Sequence, residues 1–280
     1  MSLSITSLNS GSNGNCYYIG NEKEAVLVDA GISCRETEKR MKRLGLSMHK
    51  VRAIFVSHEH TDHIKGIPVL ARKYNLPVYM TPFTQQNSRL SYEGVRVLPF
   101  AAYEPVQVGR LSVRPFPKLH DAADPHSFVV SGEGVNIGVF TDIGAPCDHV
   151  IRHFRECHAV FLEANYDEHM LDRGYYPYYL KQRIRGGRGH LSNAQALQVF
   201  AAHRPAHLSH VLLAHLSQDN NCPNLVKELF AAHAGGTEVI VASRFEETAV
   251  YTIRAGEVLP TAVGPPLKVA GAGAQTAFAF

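Results

Sequence analysis

An apolar run at residues 51–56 ends directly in Ser57-His58-Glu59-His60-Thr61-Asp62-His63, and this junction restricts the fold more than any other part of the chain. Three imidazoles and the Asp62 carboxylate fall within six residues. Where a strand gives way to such a loop, His58 and His60 can point to the same side, while Asp62 and His63 turn back from the next turn toward a second position. One segment can thus begin two metal sites. Mixed nitrogen and oxygen donors suit Zn(II), Mn(II) or Fe(II) better than Ca(II), which takes oxygen. A solvated basic loop is the competing explanation, and the position of the pattern straight after an apolar strand weighs against it.

Around this junction the chain reads as α/β. Short runs rich in Val, Ile and Phe at 3–8, 25–28, 51–56, 78–80, 111–116, 128–130, 135–140, 159–162, 211–213 and 239–241 are expected as strands. Helices are expected at 33–44, 68–74, 82–90, 146–156, 192–203 and 223–233. In the first of these, Cys34, Thr37, Met41 and Leu44 share a face, Ser33 and Glu36 form a capping box, and Gly45 stops the helix. In others, beginning at Pro68, Pro82, Pro146 and Pro223, a proline stands in the first turn, where its missing N–H is tolerated. Strands come first and then alternate with helices, without a long internal linker, which predicts one α/β domain over residues 1–254. Residues 255–280, rich in Gly, Pro and Ala without period, are expected to be a loosely held tail. No internal repeat is visible in the sequence.

With 280 residues, 45% of them apolar and 19% charged, the chain can bury a sizeable core and lies far from the composition of disordered proteins. A formal charge of +3 permits a polyanionic partner without arguing for one, so a local basic patch has to carry that case. No basic segment followed by an apolar one opens the chain, and no apolar run approaches the roughly 18 residues that span a bilayer. A cytoplasmic protein with no membrane association is expected. The five cysteines are odd in number and lack C-x-x-C spacing, so neither a disulfide framework nor a zinc ribbon is indicated.

Beyond the histidine run, further motifs follow in order: Ser10-Gly11-Ser12-Asn13-Gly14-Asn15-Cys16 before it, then His120-Asp121-Ala122, Thr141-Asp142, Glu163-Ala164-Asn165-Tyr166-Asp167, Gly189-His190-Leu191-Ser192-Asn193, and His215-Leu216-Ser217 with Asn220-Asn221. In this ordered set the chain resembles the metallo-β-lactamase superfamily, and within it the bacterial YycJ/WalJ-like exonucleases. The resemblance implies the αββα sandwich of that superfamily. It also implies that His58, His60 and His120 bind one metal, that Asp62, His63 and His215 bind a second, and that Asp142 bridges the two. Asp29, which ends the run 25–28, resembles the family's aspartate that braces the histidine loop; a plain turn aspartate before Gly31 explains it almost as well. The other ten histidines (His49, His126, His149, His153, His158, His169, His203, His207, His210 and His233) are expected to be structural, with His126 the least secure because of its nearness to His120.

A metal can bring the pKa of water from about 15.7 to ~7, which at about 1.36 kcal/mol per unit is worth on the order of 12 kcal/mol. A hydroxide held between two ions is then a nucleophile at neutral pH, and the same ions neutralise phosphate charge during displacement. Asp62, besides ligating, can orient the nucleophile or accept its proton, as the resemblance suggests. For the leaving group's proton the candidates are Glu163 and His190, which look like the Glu and His pair of tRNA-processing members; a helix-start role for His190 beside Ser192 is the plainer alternative. Changing either residue to alanine is expected to lower turnover and leave metal content unchanged.

Residues 173–188 hold five basic residues, four tyrosines and no acid, a combination suited to phosphates and unstacked bases of a single strand. Tyr178, Lys181, Arg183, Arg185 and Arg188 are the substrate-binding candidates there, against a solvated loop whose tyrosines pack on the core. Ser12 and Asn13, in the loop 10–15, are weaker candidates for holding a terminal phosphate. Three readings compete: an exonuclease acting on single-stranded DNA from a 5′ end, a small-molecule hydrolase for a thioester, lactone or cyclic nucleotide, and a metal-stabilised protein that recruits repair factors without turnover. The basic tyrosine-rich segment favours the first over the second, and the Glu163 and His190 pair argues against the third.

Overall fold

The computed structural model describes residues 2–256, and the expected tail at 255–280 lies outside the described residues beyond Gly256. Among the described residues, fourteen strands form two sheets of seven. The first sheet comprises β1 (Ser2–Asn9), β2 (Cys16–Gly20), β3 (Ala25–Val28), β4 (Val51–Phe55), β5 (Val78–Tyr79), β6 (Val97–Leu98) and β14 (Tyr251–Arg254), in the order β14-β1-β2-β3-β4-β5-β6. The second comprises β7 (Val106–Val108), β8 (Leu111–Pro117), β9 (His126–Gly132), β10 (Val135–Phe140), β11 (Ala159–Glu163), β12 (His210–Ala214) and β13 (Glu238–Val241), in the order β13-β12-β11-β10-β9-β8-β7.

The pairing repeats from one sheet to the other. Read from β14, the first sheet has three antiparallel and then three parallel pairings. Read from β7, the second has the same series. This is a repeat of architecture that the sequence does not display.

Period-two alternation explains why so many strands read as continuous apolar runs: both of their faces are covered. On β4, Ala53 and Phe55 enter the core between the sheets, and Ile54 faces the helices outside. On β11, Phe161 points into the same central core and Val160 and Leu162 point outward. The outer face of the first sheet is covered by α1 (Cys34–Arg43) and α3 (Ile67–Tyr74), through Met41, Ile67 and Leu70 among others. The outer face of the second is covered by α5 (Asp148–Phe154), α8 (Asn193–His203) and α9 (Pro223–Ala231), through Val150, Phe154, Phe200, Val226 and Phe230. The result is an αββα sandwich. Four short helices lie near the ends of strands: α2 (Thr61–Ile64), α4 (Pro82–Asn87), α6 (Glu168–Arg173) and α7 (Tyr178–Arg185).

Two local expectations are corrected. Ser33 accepts from the Glu36 N–H at 3.2 Å, but the Glu36 carboxylate turns forward to Arg40 Nε at 2.9 Å, so α1 has half a capping box. The complete box caps α8, where Ser192 and Gln195 bond reciprocally. Segment 173–188 is largely helical, and its tyrosines do not pack on the core: Tyr175, Tyr178 and Tyr179 are exposed, and the Tyr176 hydroxyl donates to Asp219 Oδ2 at 2.8 Å.

Candidate metal centre

The C-terminal ends of β3, β4, β10, β11 and β12 converge at one edge of the sandwich, where open α/β sheets gather their sites. Each strand ends in a polar residue of the motifs above: Asp29 after β3, Ser57 and His58 after β4, Asp142 after β10, Glu163 at the end of β11 and His215 after β12. Asp29, Asp142 and His215 all adopt left-handed backbone, with φ of 60°, 56° and 57°. Non-glycine residues hold that conformation at a cost of about 1–3 kcal/mol each, and it turns the side chain back over the strand end.

Here the structure brings His58, His60 and His120 together in one group, and Asp62, His63 and His215 in another. Within each group one ligand atom per residue lies within 4.8 Å of the others. Asp142 lies as close to His58 and His63, and Glu163, His190, His215 and Asp142 form a further group. The connecting contacts include His58 Nε2 to His60 Nδ1 at 2.9 Å, His63 Nε2 to Asp142 Oδ2 at 3.2 Å and His215 Nε2 to Asp62 Oδ2 at 3.5 Å.

Hydrogen bonds behind the rings fix which nitrogen faces the cluster. Nδ1 of His63 meets Asp29 Oδ2 at 2.7 Å, Nδ1 of His120 meets the Gly189 carbonyl at 3.0 Å, and Nδ1 of His215 meets Glu163 Oε1 at 3.0 Å. All three partners can only accept, so Nδ1 carries a proton and Nε2 is the nitrogen that faces inward. Asp29 also accepts from the Ser57 N–H and hydroxyl, both at 2.8 Å, and so ties the loop to the end of β3. Among the described residues His120 Nε2, His215 Nε2 and Asp142 Oδ2 are buried without a hydrogen-bond partner. Converging unpartnered polar atoms of this kind are what a divalent cation satisfies, displacing any Nε2 proton, and the residues fit the metal that the donor set implies.

The charges agree with that fit. Burial pushes the His58 imidazole well below its ordinary range and His120 down to about 4, so both are neutral donors. Burial also opposes protonation of His63 and His215, but the surrounding carboxylates prevail: Asp142, Asp62 and Asp29 hold His63 well above the ordinary range, and Asp142, Asp62 and Glu163 raise His215 to about 10. Burial likewise disfavours ionised Asp142, and the His215, His63 and Lys118 cations overcome it, holding the carboxyl well below its usual range. Without metal, ring protons balance the buried carboxylates; a cation takes over that role by displacing them.

Beside the cluster, Glu163 is fully buried. Its Oε1 accepts from His190 Nδ1 at 2.8 Å and His215 Nδ1 at 3.0 Å, and its Oε2 from the Ile143 and Leu191 N–H groups at 2.7 and 3.1 Å. His190 is thus fixed by one nitrogen and lines a cleft of about 290 Å³ together with Ser12, Asp62, Leu180, Arg183 and Ile184.

Helix α7 roofs that cleft with the face carrying Leu180, Arg183 and Ile184. Arg183 Nε donates to Asp121 Oδ2 at 2.5 Å, and Arg188 Nε lies 3.4 Å from the His120 carbonyl. Lys181 and Arg185 face elsewhere, bonded to the Asp172 carbonyl and carboxylate respectively, and Tyr178 projects into solvent. Asn13 donates to the Arg244 carbonyl at 2.8 Å. His126 turns away from the metal ligands, its ring 5.2 Å from that of Phe100.

Several residues of the site escape a reading of motifs. Asn15 Nδ2 bridges Asp62 Oδ2 and His63 Nε2, each at 3.1 Å. Ser10 Oγ accepts from the His215 N–H at 2.7 Å, and Asn165 donates to the His215 carbonyl at 2.7 Å. Lys118, buried, donates to the Thr141 carbonyl at 2.7 Å beside Asp142. Asn15, Ser10 and Asn165 lie inside the motifs already singled out, so the order of motifs was the available signal; Lys118 had none.

Comparison with known proteins agrees with this architecture. Residues 24–215 match the family model of the beta-lactamase superfamily domain. The chain is 36% identical over 230 residues to exodeoxyribonuclease YycJ of Bacillus anthracis, covering 81% of this chain and 87% of that protein. It is 31% identical over 227 residues to exodeoxyribonuclease WalJ of Streptococcus pneumoniae, covering 79% and 83%. The crystal structure of the metallo-beta-lactamase fold protein YhfI from Bacillus subtilis superposes with a TM-score of 0.70 at 17% identity, over 90% of this chain and all of that one, and shows the fold alone. With its sandwich, its convergent histidines and aspartates and these relatives, the chain belongs to the metallo-β-lactamase superfamily, in the family of the YycJ and WalJ proteins, and is a metal-dependent hydrolase.

Proposed function

We propose that the protein is a cytoplasmic exonuclease that hydrolyses phosphodiester bonds of single-stranded DNA from a 5′ end with two divalent cations, Zn(II), Mn(II) or Fe(II). The observation that supports it most is the presence in one cleft of two ligand groups next to a Glu-His pair, under a helix that presents Arg183 to it. His58, His60 and His120 would hold one cation and Asp62, His63 and His215 the other, with Asp142 shared. When bound, the cations supply Lewis acidity that makes water acidic enough to ionise near neutral pH and that neutralises phosphate charge.

The chain's own residues do the rest. Asp62, steadied by Asn15, orients the nucleophile and accepts its proton. His190, its Nδ1 tied to Glu163, presents Nε2 to the cleft and donates a proton to the leaving alkoxide. Arg183 and Ser12, on the cleft wall, and Arg188, beside His120, bind phosphate oxygens. Exposed Tyr178 extends the contact along the strand, Lys181 and Arg185 are engaged by Asp172 instead, and Asn13 shapes the loop that carries Ser12. Asp29 positions His63 and the loop.

The test is digestion of labelled single-stranded DNA, with and without a 5′ phosphate, by metal-loaded protein beside an Asp62→Ala, His63→Ala double variant. Stepwise shortening from the 5′ end by the wild type alone is expected. Equal activity in the double variant, or internal nicking without end dependence, overturns the proposal.

A further inference from the structure

A second cavity, of about 430 Å³, adjoins the cleft, lined by Ser10, Leu216, Ser217, Asn221, Arg244 and Phe245 among others. Its wall is continuous with the metal cluster: Ser10 Oγ accepts from the His215 N–H at 2.7 Å, and Leu216 follows His215 in the chain. Arg244 links the two spaces, since its Nη2 donates to Ser12 Oγ at 3.3 Å and Ser12 lines the cleft. The other nitrogen of that guanidinium, Nη1, is buried without a hydrogen-bond partner among the described residues.

Phe245 is the second unusual feature. Its ring is 76% exposed, yet its backbone is pinned: the N–H donates to Ser243 Oγ at 3.0 Å and the carbonyl accepts from Arg40 Nη2 at 2.9 Å. An aromatic side chain on a fixed backbone beside a mostly apolar cavity, with a guanidinium one residue away that has an unpartnered Nη1, has the chemistry of a nucleotide: a π-face for a base and a cation for a phosphate. The volume falls within the roughly 300–1,000 Å³ of small-ligand pockets.

We propose that this cavity receives the nucleobase adjoining the scissile phosphate, stacked on Phe245, with Arg244 on the neighbouring phosphate. The inference rests on the nuclease reading and deepens it by naming a subsite. A single-stranded substrate can turn one base out of its stack into such a cavity, whereas a paired base cannot leave without first being unpaired.

The experiment is a scan with metal-loaded protein on short oligothymidylates in which each base in turn is replaced by an abasic position. For the wild type, kcat/KM falls by about 10-fold at one position near the cleaved end and little elsewhere. In Phe245→Ala the full substrate loses a similar factor, and the abasic position costs nothing further. Arg244→Ala weakens KM for every substrate and lowers the salt dependence of KM by about one counterion. If the wild type cleaves all substrates with no positional penalty, or if Phe245→Ala keeps the wild-type penalty, the subsite is wrong and the nuclease reading stands. If the wild type leaves every oligonucleotide intact, the nuclease reading falls and takes this inference with it.

Discussion

Replacing Glu163 by glutamine keeps the shape of the side chain and removes one of its two acceptors. Oε1 serves His190 and His215, and Oε2 serves two backbone N–H groups, all between 2.7 and 3.1 Å. Whichever way the amide faces, its NH₂ confronts two donors in a fully buried place. Hydrogen bonds to a charged group are worth about 1.5–3 kcal/mol each, so a destabilisation of about 3–5 kcal/mol follows. With a neutral ring, the clash could be relieved only by changing tautomer, which would keep a proton on His215 Nε2, the buried atom that a cation would need. Metal affinity should therefore fall about 10- to 100-fold. His190→Ala differs: its side chain is 22% exposed, and its removal leaves the bond from His215 to Glu163 in place. It should cost about 1–2 kcal/mol and retain its metal, while turnover falls about 10²- to 10⁴-fold. Metal analysis after dialysis against graded chelator, urea unfolding and phosphodiester turnover on the two variants read out these differences. Glu163→Gln with wild-type metal affinity, or His190→Ala with a lost cation, refutes the reasoning. From sequence, losing Glu163 is expected to leave metal content near two per chain; its bond to His215 predicts weaker metal binding instead.

Asp29→Asn tolerates the left-handed backbone but sets an amide against Ser57 or His63, so metal affinity measured by titration should drop about 10- to 100-fold; an unchanged value would remove Asp29 from the support of the site. Gly31→Ala drives a Cβ into the Asp62 carbonyl, so the loop must move, and thermal melting should show a loss of about 1–3 kcal/mol or more; a wild-type melt would mean the loop yields freely. For the metal-free protein, the raised His63 and His215 give stability that is complete below about pH 6.5 and is lost as pH rises through their folded values, about 10 for His215. Asp62, Asp142 and Glu163 are held low, so their share is present above about pH 4 and lost in acid. The rise in Tm on adding metal should then grow between about pH 6 and pH 9 as fewer protons compete, and a rise that shrinks over that range contradicts protonated rings in the metal-free cluster.

Fold class and most of the ligand-bearing strands were legible because strands covered on both faces leave long apolar runs, and their polar ends stand out against them. β2 escaped because Cys16–Gly20 buries two tyrosines beside a Gly-, Ser- and Asn-rich turn. It looks like loop until the Tyr17 hydroxyl is seen bonding Ser10 and Asn15. β6 and β7 are two or three residues long, too short to carry a period. Helix α7 has no buried residue, so no apolar stripe marks it. Its helicity nevertheless decides its role, by sorting a row of basic residues into a cleft-facing Arg183 and an Asp172-facing Lys181 and Arg185.

The site shows the same division between what residue type reveals and what only backbone reveals. Histidines and aspartates in order disclose a metal centre, but not that Asp29, Asp142 and His215 occupy left-handed backbone, since that conformation is ordinarily a glycine's. Glycine at those three strand ends would relax the chain and remove a proposed ligand, its proposed brace or the carboxylate proposed to be shared. The site is therefore held by the rest of the sandwich against a local preference worth a few kcal/mol. This is why Ser10, Asn15, Ser57 and Asn165 matter despite their ordinary chemistry. Their hydrogen bonds to the backbone of His215, and to the side chains of Asp29, Asp62 and His63, fix a geometry that the residues' own φ preferences would abandon.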